Sequence, residues 1–175
     1  MSLIPIICTH EVSPPIISFI LSKAYEASDK IDSPPSLLLL TTADGDELRK
    51  HTKDSVTKSP VDAFQSPFLG WDISKIARFL QDNAQKTAVD WTAFLVADDQ
   101  TMADEDTLLL AYKVEGSLET VRLSTAFANS QAVSMSIATT DVAELQSLAD
   151  DDGVYRGGRQ GPPPKKGGKA PKKQL

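Results

Sequence analysis

A single cysteine, Cys8, rules out an intramolecular disulfide. Together with the only two histidines, His10 and His51, it falls short of a structural zinc site. Neither HExxH nor CxxC occurs, and there is no GxGxxG loop, no GxxxxGK[ST] loop and no GxSxG elbow. ATP, dinucleotide and serine-hydrolase chemistry therefore find no support in the residues, and no cofactor is implied. Apolar runs such as Leu37 to Leu40, Phe94 to Ala97 and Leu108 to Ala111 fall far short of the ~20 residues that a membrane span needs. The start, MSLIPIICTH, has no basic n-region and breaks its apolar run at Pro5, so it makes a poor secretory leader. A cytoplasmic location is expected, and the basic pairs Lys165-Lys166 and Lys172-Lys173 leave nuclear import open.

What the sequence does have is a divided charge. The net charge of −6 averages over 18 basic and 24 acidic side chains. From Arg156 onward there are seven basic residues and no acid, so the first 155 residues hold 11 basic groups against all 24 acids. Such a body repels nucleic acid and anionic membranes, whereas the tail attracts them. Residues 157–175, GGRQGPPPKKGGKAPKKQL, contain almost nothing that could offset the entropy of ordering, and are expected to be a disordered tail. Residues 1–36 read as an N-terminal strand and helix packed on a domain of residues 37–156.

Within the body, Leu3 to Cys8 reads as a strand, with Pro5 pointing to a sheet edge or an irregular start. Ser13-Pro14-Pro15 opens a helix to Ser28, striped by Ile16, Ile17, Ile20, Ala24 and Ala27. Leu37 to Thr42 reads as a buried strand, and Asp44 with Glu47 as a capping box for a polar helix reaching Asp54. After a long connection, Ser59 to Gly70, Asp72 caps a helix with Ile73, Ile76, Ala77, Leu80 and Ala84 on one face. Trp91 to Ala97 is a strand. Thr107 to Val114 and Leu118 to Leu123 form a hairpin through Glu115-Gly116-Ser117. Alternation at Val133, Met135 and Ile137 predicts a half-exposed strand, and Asp141 with Glu144 caps a final helix. The order implies an α/β fold, with α+β as the alternative: a mixed sheet with helices packed on it.

Reactive groups are sparse. Cys8 and His10 stand two apart on a strand and could pair as nucleophile and base, but no oxyanion donor or orienting group accompanies them. Carboxylates gather at Asp98-Asp99, Asp104-Glu105-Asp106 and Asp150-Asp151-Asp152. The plain reading of these strings is solvated turns and helix caps. Asp98 and Asp99 nevertheless follow a buried strand, where ligand sites collect in open sheets. With Arg122 and Arg156 they form the candidate ligand-binding set. No metal site is assigned. Trp71 and Trp91 read as core or lid residues. Lys165, Lys166, Lys169, Lys172 and Lys173 are candidate contacts for nucleic acid or another anion, with salt-sensitive affinity.

From about Leu37 to Gly158 the chain resembles an uncharacterised family, domain of unknown function 6924. The similarity begins with the strand running into an acidic helix start, Leu37 to Asp46. It continues through Phe94-Leu95-Val96-Ala97-Asp98, Thr107 to Val114 and Val121-Arg122-Leu123. Residues Ala128 to Asp141 are similar to the family's "ANLSIANMD" stretch, although Thr139 and Thr140 separate the end of that stretch from Asp141. The most specific match is Asp152-Gly153-Val154-Tyr155-Arg156-Gly157, similar to the terminal "DGVFRGF" but with Gly158 at the last aromatic position. The resemblance implies a shared fold and carries no catalytic residue.

The expectation is a non-catalytic α/β interaction protein that binds an unidentified protein partner, its basic tail strengthening the attachment. The alternatives are a carboxylate-dependent, metal-assisted enzyme and weak binding of nucleic acid or anionic surfaces through the tail.

Overall fold

The computed structural model describes residues 2–114 and 116–158. Six strands form one mixed sheet in the order β2-β1-β3-β4-β5-β6. The strands are β1 (Ile4–Cys8), β2 (Leu37–Leu39), β3 (Ala93–Ala97), β4 (Thr107–Val114), β5 (Ser117–Ser124) and β6 (Val154–Tyr155). β1 runs parallel to β2 and β3, β4 is antiparallel to β3 and β5, and β6 lies parallel to β5. Six helices accompany them: α1 (Pro14–Asp29), α2 (Gly45–Leu48), α3 (Ile73–Asn83), α4 (Asp99–Asp104), α5 (Thr125–Ser136) and α6 (Val142–Ser147). None is long and apolar enough to cross a membrane.

The alternation of each strand divides two cores. Ile4, Ile6, Leu95, Leu108, Leu110 and Leu123 face α1, α5 and α6. Ile7, Leu38, Phe94, Val96 and Ala111 face α2 and α3. Burial on both faces turns β1 and β3 into the continuous apolar runs seen in the sequence.

Pro5 marks an irregular start and not an edge: β1 lies inside the sheet, between β2 and β3. The N–H of Ile4 donates to Ser36 on the β2 side, and that of Leu3 donates to Ala88 on the other side. Pro5 shares the parity of Leu3, so its missing N–H faces β3. There the ladder is interrupted, because Leu3 bridges Val89 while Ile6 already pairs with Leu95. The surplus residues turn around the buried Asp90 carboxylate. It accepts from Thr92 N (2.8 Å), Thr92 Oγ1 (2.7 Å) and Ala93 N (3.0 Å), and also from the Ser136 hydroxyl. This turn is also why β3 starts at Ala93 and not at Trp91.

The second correction concerns Val133 to Ile137, which belong to helix α5 and its C-cap and not to a strand. Ala128, Ala132 and Met135 keep a helical period and are fully buried. Their small neighbours let α5 pack closely against α1 and the sheet, and Ile137 is left 57% exposed just past the last turn. Smaller differences follow local chemistry. α2 closes after a single turn, with Leu48 its one buried side chain. Val114 pairs directly with Ser117, which leaves two residues between the hairpin strands; Gly116 has φ +91°, and Glu115 lies outside the described residues.

Within α5, Asn129 is fully buried and fully engaged. Its Oδ1 accepts from Ser36 N (2.9 Å), and its Nδ2 donates to Ser28 Oγ and the Pro34 carbonyl (both 3.1 Å). It thereby clamps the α1–β2 connection. Asn129→Ala strands the buried Ser36 N–H and Ser28 hydroxyl and is expected to remove about 2 kcal/mol of stability. A lower urea midpoint at unchanged slope checks this.

Candidate functional site

The carboxyl edge of the sheet gathers most of the predicted site. β1, β3, β5 and β6 all point toward it, and β4 starts from it. Asp98, the residue after β3, is the N-cap of α4. Its carboxylate accepts from Thr101 N and Thr101 Oγ1 (both 3.1 Å), and Thr101 Oγ1 accepts from Asp98 N in return (3.2 Å). Arg122 in β5 pairs in register with Leu109, two strands from β3, and reaches across to the same carboxylate. Nη1 donates to Oδ1 at 2.9 Å and Nη2 to Oδ2 at 2.6 Å, with both side chains largely buried (13% and 16% exposed). Burial alone would raise the Asp98 pKa, but the Arg122 fork and the Thr101 bonds together hold it below the usual carboxylate range. Asp99 stands exposed at the first helical position of α4.

Of the other predicted residues, Arg156 closes on a different group. It donates to Asp150 at 3.0 Å and to Asp152 at 2.8 and 3.0 Å. Asp98 and Arg122 therefore meet each other, while Arg156 completes a separate turn. In that turn Gly153 takes φ +78°, Asp150 N donates to the Val154 carbonyl, and Tyr155 stacks edge-on against Phe127 at 5.5 Å. Gly157 (φ +95°) lies so close to Phe127 that an added Cβ would stand 2.6 Å from its ring. The whole segment is thus explained by closure of the chain end.

Asp104 accepts from Asp106 N, Thr107 N (both 2.9 Å) and Thr107 Oγ1 (2.7 Å). Asp106 pairs with Lys23 and accepts from Thr125 Oγ1 (2.9 Å). Among the described residues no group of three His, Cys, Asp or Glu side chains is disposed to hold a metal ion. The Cys8 thiol points into the first core, where burial pushes its pKa up to about 12, so it stays protonated near neutrality. His10 is exposed and contacts Thr9 Oγ1 through Nδ1 at 3.3 Å, and Cys8 and His10 form no nucleophile pair. Burial also holds the His51 pKa below its ordinary value, partly offset by Glu47. Trp71 belongs to an edge-on aromatic cluster with Phe68 and Phe79, and the Lys75 ammonium sits 3.9 Å from its ring. Lys165, Lys166, Lys169, Lys172 and Lys173 lie outside the described residues.

One feature escaped the sequence. The chain leaves β1 toward β2 through α1 and reaches β3 on the other side through α3, so the strand order reverses at the β1–β3 boundary. Crevices at such a reversal are where open α/β sheets bind ligands. Here a cleft of about 410 Å³ opens at the end of β1, lined by His10, Glu11, Val12, Phe64, Ser66 and Leu69, with Gln65 beside them. Its outer wall is pinned to the strand, because Ser66 Oγ donates to the Cys8 carbonyl (2.5 Å) and Gly70 N to that of Thr9 (2.9 Å). The cleft differs from a phosphate-binding crevice. Pro14 and Pro15 occupy the first two positions of α1, and the Ile16 N–H is used by the Ser13 carbonyl. The helix start therefore lacks the N–H groups that cradle phosphate. The Ser59 to Gly70 connection was the available signal, since loops of that length in compact domains are usually functional.

No curated protein matches the chain, and no solved structure matches it. A family model does, over residues 39–158, from β2 through the turn closed by Arg156. The chain belongs to the family described as domain of unknown function DUF6924.

Proposed function

We propose that the chain works by binding and not by turnover: an α/β interaction module that meets a protein partner, with the basic segment 157–175 strengthening the attachment. The observation that carries this reading is the mutual commitment of the groups that chemistry would need. Asp98 is held by Arg122 and Thr101, Asp104 and Asp106 are bonded to their own loop and to Lys23, and Cys8 is buried. A general base or metal ligand must present a free lone pair to the reacting group, and the bonded oxygens of these carboxylates are turned to the protein. The charge division supports the second half of the proposal, since a cationic segment next to an anionic body adds salt-sensitive attraction without specificity.

Capture of binding partners by the full chain and by a chain ending at Arg156 tests the proposal. At physiological salt, recovery of at least one partner is expected to fall severalfold on truncation, and unchanged recovery and localisation would remove the role of the tail. Titration calorimetry with Mg²⁺, Ca²⁺ and Mn²⁺ addresses the metal-assisted alternative. No saturable heat is expected at millimolar metal, because Asp99 is the one member of the Asp98-Asp99 pair facing solvent.

A further inference from the structure

We infer that the cleft at the end of β1 is a binding site for a lysine side chain, supplied by residues 159–175 of the same chain. The inference rests on the binding reading above and names an occupant for one site. The cleft has the chemistry of an alkylammonium receptor. Glu11 offers a carboxylate and Gln65 an amide, Val12, Phe64 and Leu69 give apolar walls for a methylene stem, and beside His10 no lysine or arginine lines it among the described residues. Anionic ligands are disfavoured by Glu11 and by the two prolines that remove the helix donors. The surroundings act in the same direction, since Asp99, Asp104 and Glu105 lie along the same sheet edge, where β3 ends and β4 begins, while Asp98 and Asp106 are matched by Arg122 and Lys23.

Topology delivers the occupant to the site. β6 runs parallel to β5, β5 is antiparallel to β4 and β4 to β3, so β6 points the same way as β1. β6 thus ends toward the edge where the cleft opens, with Gly157 against Phe127 at the start of α5 and Gly158 beside Leu148. Four strand spacings separate β6 from β1, roughly 19 Å. Lys165 lies seven residues beyond Gly158, a reach of roughly 23 Å when extended, and Lys166, Lys169, Lys172 and Lys173 follow. At such short tether lengths the local concentration of lysine is high enough for a weak site to fill.

The test uses the full chain with Ala170→Cys carrying a nitroxide; Cys8, fully buried, stays unmodified. Paramagnetic broadening of backbone amides is recorded at about 25 mM salt and again at about 0.5 M, where screening shortens to a few ångströms. Selective broadening is expected at Glu11, Val12 and Leu69, but not at Leu118 beside the hairpin at the opposite sheet edge. It should fall about threefold in Glu11→Gln and in the Lys165→Ala/Lys166→Ala pair, and vanish at high salt. Added N-acetyl-lysinamide should displace it. No selective broadening at low salt, or broadening indifferent to Glu11→Gln, would overturn the inference. Either result leaves the partner-capture experiment to decide the binding reading separately.

Discussion

A fragment beginning at Leu37 will not fold. Removing residues 1–36 takes out β1, which lies between β2 and β3, and with it α1, which covers one face of the sheet. Ile4, Ile6, Ile7, Ile17, Ile20 and Leu21 are all fully buried. Each contributes about 1.5–3 kcal/mol by leaving water, and the sum of roughly 9–18 kcal/mol rivals the 5–15 kcal/mol that holds a whole domain together. The loss also uncovers both neighbours of β1 as open edges and takes α1 away from Leu39 and Leu95. The expected result is loss of near-ultraviolet dichroism and of any cooperative thermal transition; a sharp melt near that of the full chain would show that β1 is dispensable. The point bears on the family, because the matched span starts at residue 39 while the strand that β2 and β3 both pair with precedes it.

Replacing Arg122 by methionine is expected to cost about 3 kcal/mol, because it leaves the Asp98 carboxylate largely buried with its strongest partner gone. The double variant Arg122→Met/Asp98→Asn should recover part of that loss, because an amide needs no counter-charge while Thr101 can still cap against it. The pH dependence follows from the direction of the Asp98 shift. Its folded pKa lies below the ordinary value of 3.8, so the pair contributes stability above that value and loses it as pH falls through the lower, native one. In Arg122→Met the forces that lower the pKa are mostly removed while burial remains, so its stability should fall less steeply with acid and the gap between the two proteins should narrow as pH drops. Thermal melts across the acid range measure this, and a gap in melting temperature that stays constant into acid would contradict it.

Much of the scaffold was legible in the residues. Periodicity placed α1 and α3, and the Asp72 and Asp141 caps hold as expected, each accepting from the N–H three residues on. β4 and β5 followed from their apolar content. Legibility ended where one local rule overrode another. Pro5 reads as an edge or an irregular start in one dimension, and only the Asp90 turn opposite shows why an interior strand tolerates it. The short alternation at Val133 to Ile137 masked the helical period of Ala128, Ala132 and Met135, because five residues are too few to separate the two periods.

The site was legible only in part. Asp98 could be singled out as an acid after a buried strand, but its partner Arg122 lies 24 positions away and is set by the β3-β4-β5 pairing. The cleft at β1 was not visible, because its walls come from two loops about 55 positions apart that share no motif. Terminal closure is the reverse case, because Asp152 to Gly157 lie together in the chain and Arg156 closes on carboxylates within six positions of it.

Contact without turnover is tested most directly by incubating the pure full-length chain with a small-molecule extract. Retained compounds and their masses are then followed over time. Anything held is expected to come off chemically unchanged, with the same profile for Asp98→Asn and Asp99→Asn. A time-dependent conversion that either substitution abolishes would contradict it.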